Sequence, residues 1–151
     1  MAPDGDVVVA GGFNGAAEID GTPLVDAGSG DGFVARYAPD GALRWVKSIG
    51  GPSMDFARCV AVTPDGNLVV AGYFGGSVDF GGGPLESNGP MQDVFVVGLD
   101  AQGEHRWSKA YGGTLLDAPN AVAVDTQGHS YVTGHFADTA EIGRASCRER
   151  V

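Results

Sequence analysis

Short runs of apolar residues recur along this chain, and glycine-rich turns separate them. In the middle of the chain four runs follow one another, at residues 58–62, 67–74, 93–99 and 105–111. The second run is nearly continuous in apolar character, as in strands buried on both faces, whereas the fourth alternates apolar and polar residues, as in a half-exposed strand. Pro, Asp and Gly between the first two runs (TPDG) favour a tight turn. The pattern predicts two β-hairpins, and therefore four antiparallel strands.

The same strand pattern returns at a fixed period. Residues 31–51 (DGFVARYAPDGALRWVKSIGG) align with residues 93–113 (DVFVVGLDAQGEHRWSKAYGG) at an offset of 62. A second segment occurs three times, as PDGDVVVAGGF, PDGNLVVAGYF and TQGHSYVTGHF. Such a period indicates a repeat architecture, in which each unit buries its apolar face against its neighbours. The repeated structural positions are the aromatic residues Phe33, Phe95, Trp45, Trp107, Phe13, Phe74 and Phe136, the aspartates Asp31, Asp93, Asp55 and Asp117, and the turn glycines Gly5, Gly66 and Gly128.

A unit of two hairpins is typical of the blade of a β-propeller, in which four-stranded sheets stack radially around a channel. We therefore predict an all-β fold made of antiparallel four-stranded propeller blades, present as an incomplete arc of just over two repeats. Residues 1–51 would be a partial blade without its first strand, residues 52–113 a complete blade, and residues 114–140 the start of a third. A β-sandwich or an open β-solenoid is the alternative architecture.

The last residues depart from the repeat. Residues 141–151 read EIGRASCRERV, and three of the nine Lys and Arg residues lie among them. One possible coding sequence for this segment resembles a common sequencing adapter read in frame, so we predict a non-native tail, with the native sequence ending between residues 137 and 143. A genuine basic C-terminal segment is the alternative.

Charge narrows the range of partners. The chain has 9 basic and 19 acidic residues, which gives a formal net charge of −10. An acidic surface repels phosphate backbones, so nucleic acid is not an expected partner. No apolar run approaches the roughly 20 residues of a membrane-spanning helix, so no membrane span is expected. Cys59 lies in an apolar run (CVAV) and should pack as a small hydrophobic residue.

Three longer strings carry a family resemblance: DGFVARYAPDGALRW, SMDFARCVAVTPDGNLVVAGYFGGSVDFGGGPL and DVFVVGLDAQGEHRW. They resemble the bacterial SBBP repeat, which is named for a seven-bladed β-propeller. The resemblance extends over about residues 1–140. It implies a secreted or surface-attached bacterial protein, in which such repeats often stand beside adhesion-type modules. It implies no shared catalytic residues.

The repeated aspartates are the first candidates for chemistry. Asp31 and Asp93 open the third strand of their units, and Asp55 and Asp117 precede the first strand. Carboxylates are ligands that Ca²⁺ prefers, but no D-x-D-x-D-G cluster is present. We expect these side chains to cap loops by accepting backbone hydrogen bonds, and we assign no metal site.

The histidines and tryptophans are the other candidates. His129 and His135 could share one face of a strand, but a two-histidine metal site without a nearby cysteine or carboxylate is weak. Trp45 and Trp107 could stack on sugars, but their repetition favours packing between units, with the adjacent arginines covering the rings. No catalytic or phosphate-binding motif is found, and no cofactor is expected.

These observations favour a non-enzymatic scaffold on an extracellular or cell-surface bacterial protein. Its expected partners are an unknown protein or glycan ligand, bound through the connections at residues 21–30 and 81–92, and further blades of the same full-length chain. The alternative is part of a propeller enzyme, a lyase or quinone-dependent dehydrogenase, whose catalytic residues lie on missing blades.

Overall fold

The computed structural model describes residues 2–137 and 139, and this part of the chain forms thirteen β-strands and no helix. The first five strands are β1 (Val7–Phe13), β2 (Ala17–Ile19), β3 (Thr22–Leu24), β4 (Asp31–Tyr37) and β5 (Leu43–Ile49). They are followed by β6 (Phe56–Val62), β7 (Leu68–Phe74), β8 (Ser77–Asp79), β9 (Pro84–Glu86), β10 (Asp93–Leu99) and β11 (His105–Tyr111). The last two strands are β12 (Ala118–Val124) and β13 (Ser130–His135). The predicted tail, residues 141–151, lies outside the described residues.

Three sheets follow one another along the chain. The first sheet has the strand order β1-β4-β5, the central sheet β11-β10-β7-β6, and the third sheet pairs β12 with β13. Every strand pairing among the described residues is antiparallel, and Phe95 lies opposite Gly72 in the middle of the central sheet. The all-β class and the antiparallel hairpins predicted from the sequence are thus confirmed.

Glycine makes the tight turns between paired strands possible. Gly66 closes the β6–β7 turn by donating its N–H to the carbonyl of Thr63 at 2.9 Å, and its φ of 83° lies in the left-handed region. Gly5 and Gly128 have φ values of 87° and 85° at the same phase of the repeat. A residue with a Cβ is strained in this conformation, which explains why the sequence keeps glycine at these turns.

The core of the central sheet lies on both of its faces. On β10, Phe95, Val97 and Leu99 point into one apolar cluster that also contains Val34 and Ile49 of the first sheet. Val94 and Val96 point to the opposite face, into a second cluster, where Val122 and Val132 of the third sheet pack. Because side chains alternate along a strand, a sheet covered on both faces needs apolar residues at every position, as the continuous run on β7 and β10 predicted.

The long connections between second and third strands are more ordered than their glycine content predicted. Each contains a short hairpin, β2–β3 in the first unit and β8–β9 in the second. Val78 is 2% exposed, and the Phe80 ring lies 4.7 Å from that of Phe95 between centroids. These two side chains hold the β8–β9 hairpin against the core, so this connection is not a free loop.

Candidate functional site

Asp55 and Asp117 tie neighbouring loops together. The buried carboxylate of Asp55 accepts hydrogen bonds from the backbone N–H groups of Gly51, at 2.7 Å, and Gly75, at 2.9 Å. Asp117 repeats this arrangement with the N–H groups of Gly113 and Ala137, both at 2.8 Å. Each carboxylate therefore fixes the end of one sheet's fourth strand to the chain that leaves the second strand of the next sheet.

Asp31 and Asp93 lie beside this pair, and each is buried. Asp31 Oδ2 accepts the N–H of Ala27 at 2.8 Å, and Asp93 Oδ2 accepts that of Asn88 at 2.8 Å. In both residues Oδ1 is buried without a hydrogen-bond partner. A Cβ added to Gly112 would lie 2.5 Å from Asp93 Oδ1 and 2.7 Å from Asp117 Oδ2, so the two carboxylates leave no room for a side chain there.

Burial controls the ionisation of these aspartates. Desolvation raises the pKa of Asp31, Asp55 and Asp93, and the hydrogen bonds from backbone N–H groups oppose it only in part. The charge of Asp31 further raises the pKa of Asp55. Over the described residues, no three His, Cys, Asp or Glu side chains come close enough to hold a metal ion together. What these carboxylates do in the structure is accept backbone hydrogen bonds.

The two repeated tryptophans make different contacts. Trp45 donates its indole N–H to the carbonyl of Ala101 at 3.1 Å, and its ring lies against Gly103, so it packs the first sheet onto the β10–β11 turn. Trp107 instead covers Gly98 on the adjacent strand, where an added Cβ would lie 2.2 Å from the indole nitrogen. Both rings are half-buried and border the apolar clusters.

The histidines are not brought together. His129 Nδ1 lies 2.9 Å from Asp125 Oδ2, and His105 Nε2 lies 3.2 Å from Ser108 Oγ. His135 ends β13, about 20 Å along the strand from His129, which is too far for a shared ligand. Burial raises the pKa of Asp125, but the hydrogen bonds from His129, Gln127 and Tyr131 prevail and lower it to about 2.

A buried arginine between the first and central sheets was missed by the sequence analysis. The Arg36 side chain is 4% exposed, and its Nε donates to Asp6 Oδ2 at 2.8 Å while Nη2 donates to Asp4 Oδ2 at 2.8 Å. Its Nη1 donates to the carbonyls of Gly66, at 3.2 Å, and Ala101, at 3.1 Å. The available signal was a second charged residue, besides Asp31, in a strand whose remaining residues are apolar or aromatic.

Arg44 completes this cluster at the surface. Its Nε donates to Asp6 Oδ2 at 2.6 Å, and Asp6 is itself 1% exposed. The hydrogen bond from Arg44 lowers the pKa of Asp6, and that from Arg36 lowers it further, against the opposing effect of burial. Two arginines and the two aspartates Asp4 and Asp6 thus form a charge-balanced group at this junction.

At the next junction a cavity of about 320 Å³ opens instead. It lies between the central and third sheets, and Trp107 and Arg106 form one side of it. Its polar lining includes Asp65, Asn67 and Gln127, and its floor is Gly98. This cavity and the two loops at residues 21–30 and 81–92 are the candidate binding surfaces of the described chain.

A family model and two curated relatives match parts of this chain. Residues 63–81, from the β6–β7 turn to the β8–β9 hairpin, match the family described as "Domain of unknown function (DUF5122) beta-propeller". The regulatory protein FlaEY of Caulobacter vibrioides is 30% identical over 124 residues, which are 80% of this chain and 13% of that protein. The uncharacterized WD repeat-containing protein L264 of Acanthamoeba polyphaga mimivirus is 26% identical over 122 residues, 67% of this chain and 8% of that protein.

The chain therefore spans about an eighth, or less, of these curated relatives. Together the matches and the all-β antiparallel sheets support a β-propeller type of repeat. Among the described residues, no helix could cross a membrane.

Proposed function

We propose that this chain is a non-enzymatic scaffold built from β-propeller blades. In this proposal the first sheet, the central sheet and the third sheet are successive blades, and the central sheet is the complete one. The observation that carries the proposal is the repeated use of Asp55 and Asp117 as ties between loops. The aspartates at this position of the repeat hold neighbouring sheets together, so residues that vary between units are left to bind ligands.

The expected ligand is a protein or a glycan, and the connections at residues 21–30 and 81–92 would bind it. These connections differ in sequence between the two units, and they carry exposed apolar side chains. Val25 is 69% exposed, and Met91 is 41% exposed. The β8–β9 hairpin holds the second connection on a rigid base, and a loop on a rigid base loses little entropy when it binds.

We further propose that the full-length protein is bacterial and secreted or attached to the cell surface. The support is the likeness to the SBBP repeat and, more weakly, the bacterial relative named regulatory protein FlaEY. An epitope-tagged gene in its native host tests this part. Protease added to intact cells should digest the tag, and protection from the protease until the cells are lysed would contradict it.

Glycan and peptide arrays test the binding role. The variants V25S and M91S should reduce the bound signal at least tenfold on the ligand class recognised, because each removes an exposed apolar contact. The matched control is V9S, since Val9 is 41% exposed on β1 and lies away from both connections. If V9S and the two loop variants reduced binding equally, or if no array feature bound the chain, the loops would not be the ligand site.

A further inference from the structure

The cavity beside Trp107 is lined by Gly98, which occupies the position of Arg36 one repeat earlier, and the Trp107 ring covers Gly98 itself. The two strands align as DGFVARY and DVFVVGL, which places Gly98 opposite Arg36. The flanking turns align as PDGD and PDGN, which places Asn67 opposite Asp6. The full set of equivalent positions is Asp4 and Asp65, Asp6 and Asn67, Arg36 and Gly98, Arg44 and Arg106, and Gly66 and Gly128.

The contacts of Arg36 at the first site indicate which chemical group the second site suits. The Arg36 guanidinium makes four hydrogen bonds, two to carboxylates and two to backbone carbonyls. A guanidinium is planar and carries its donors in a fixed fork, so such a set of acceptors is selective for it. The second site has counterparts of two of these four acceptors, the carboxylate of Asp65 and the backbone at Gly128, and it also keeps the arginine at the rim, Arg106. The carbonyl of Ala101 has no counterpart among the described residues.

The second site lacks both the acid and the base that meet at the first site. Relative to the first site, Asn67 replaces one carboxylate and Gly98 replaces one guanidinium, so no buried charge is left uncompensated. The hydrogen bond from Thr63 lowers the pKa of the exposed Asp65 against a smaller effect of desolvation, and the charge of Arg106 lowers it further, so Asp65 is ionised at neutral pH. The Asn67 side-chain amide donates to Asp65 Oδ2 at 2.6 Å.

We propose that this cavity binds the guanidinium group of an arginine side chain supplied by a partner polypeptide. The group cannot come from position 98 itself, because the Trp107 ring covers Gly98 and a side chain there would overlap the indole nitrogen. A guanidinium entering from outside would bond to Asp65 and the Asn67 carbonyl and stack on the Trp107 ring. The cavity volume is at the lower end of the roughly 300–1,000 Å³ of small-ligand sites.

The same comparison predicts a weak site that one substitution strengthens. At the first junction two carboxylates pair with two arginines, whereas at the second junction Asp65 alone would pair with both Arg106 and the ligand. We therefore expect a dissociation constant on the order of 1 mM for a single arginine. N67D restores the carboxylate found at Asp6 and should tighten binding about tenfold.

Surface plasmon resonance on the 151-residue chain, immobilised at low density, tests the proposal. The probe is N-acetyl-L-arginine methylamide, and the matched probes are its lysine and citrulline analogues. The lysine analogue carries a positive charge without the planar guanidinium, whereas the citrulline analogue is nearly isosteric with arginine but is uncharged. We expect arginine to bind at least tenfold more tightly than either analogue. The series is repeated with Arg144, Arg148 and Arg150 changed to glutamine, so that arginines of the chain itself cannot compete.

Three variants separate a site from general attraction to an acidic protein. D65N should abolish arginine binding, N67D should strengthen it, and V9S should leave it unchanged. Far-UV circular dichroism identifies any variant that has lost its β-structure, and N67D keeps the proposal falsifiable if D65N does not fold. Equal binding of arginine and citrulline, no change in N67D, or binding of methyl glycosides without arginine would overturn it.

This inference deepens the proposed scaffold role but is tested apart from it. Failure of the loop variants on the arrays would leave the arginine measurements intact, because Val25 and Met91 do not line the cavity. Failure of the arginine measurements would likewise leave the loop ligand untouched.

Discussion

Phe95 and Phe33 occupy the same place in successive repeats but are buried to different extents. Phe95 is fully buried in the central sheet, between Phe80 and Phe74, with ring centroids at 4.7 and 6.5 Å. Phe33 is half-buried in the first sheet, and no aromatic pair involves it among the described residues. The substitutions F95A and F33A therefore remove the same side chain from equivalent positions of two units that differ in burial.

The expected costs follow from these contacts. Removing a buried phenylalanine loses about 1.5–3 kcal/mol of transfer free energy. Each aromatic pair adds about 0.5–1.5 kcal/mol, and the cavity left behind adds more. We expect F95A to lower the free energy of unfolding by about 3–5 kcal/mol, the range for large core truncations. F33A should cost only about 1–2 kcal/mol, because part of its ring already contacts water.

Equilibrium unfolding in urea measures the difference. Tryptophan fluorescence and far-UV circular dichroism are followed together, because repeat proteins can unfold in more than one step and a single free energy requires coincident transitions. Equal losses for F95A and F33A would refute the reasoning, since they would show that the repeat position, and not burial, sets the cost. A loss below about 1 kcal/mol for F95A would place its ring at the surface.

Three further predictions concern the aspartates and the sheet edges. Burial raises the pKa of Asp31, Asp55 and Asp93 above the ordinary 3.8, so the folded chain holds protons that the unfolded chain has released. The lowered pKa values of Asp6, Asp26, Asp65 and Asp125 act in the opposite direction below about pH 5. Thermal melts should therefore show stability rising as the pH falls from about 7 toward about 5, and a flat profile would contradict this. D55N should lower the free energy of unfolding by about 1–3 kcal/mol in urea titrations, because its amide NH₂ must face a backbone N–H; an unchanged midpoint would contradict this clash. Strand β1 is an open edge of the first sheet with Val9 exposed, so light scattering should show concentration-dependent association that V9K reduces, and a wild-type monomer at every concentration would rule this out.

The strands could be predicted because residue types that recur at the same position of each unit indicate the same burial in each unit. The turn glycines, the apolar runs and the alternation on β11 all follow from the local demands of hairpins and of two-sided burial. The β8–β9 hairpin was not predicted, because its order depends on Val78 and Phe80 reaching a core that is formed by distant strands. Glycine content indicates the conformational freedom of the local backbone, but it does not indicate whether distant side chains pack against the segment.

The cavity beside Trp107 could not be predicted from the sequence, for a different reason. Its lining differs from the Arg36 site by two single changes, at Asn67 in the β6–β7 turn and at Gly98 on β10, and neither is unusual by itself. Only the three-dimensional site around Arg36 shows that these positions face each other. The aligned repeats contained the difference, but a one-dimensional alignment does not report which differences are in contact.

The buried ion pair between Asp6 and Arg36 has a consequence for how such repeats diverge. Loss of either partner alone leaves a charge without its counterion in a dry interface, and selection against unstable chains would remove that intermediate. A duplicated unit can nevertheless lose both the aspartate and the arginine. It then lacks the buried ion pair that the other unit keeps, while the rest of the array stays unchanged. Divergence at a few paired positions could therefore open a cavity at one interface between units while the other interfaces of the array stay packed.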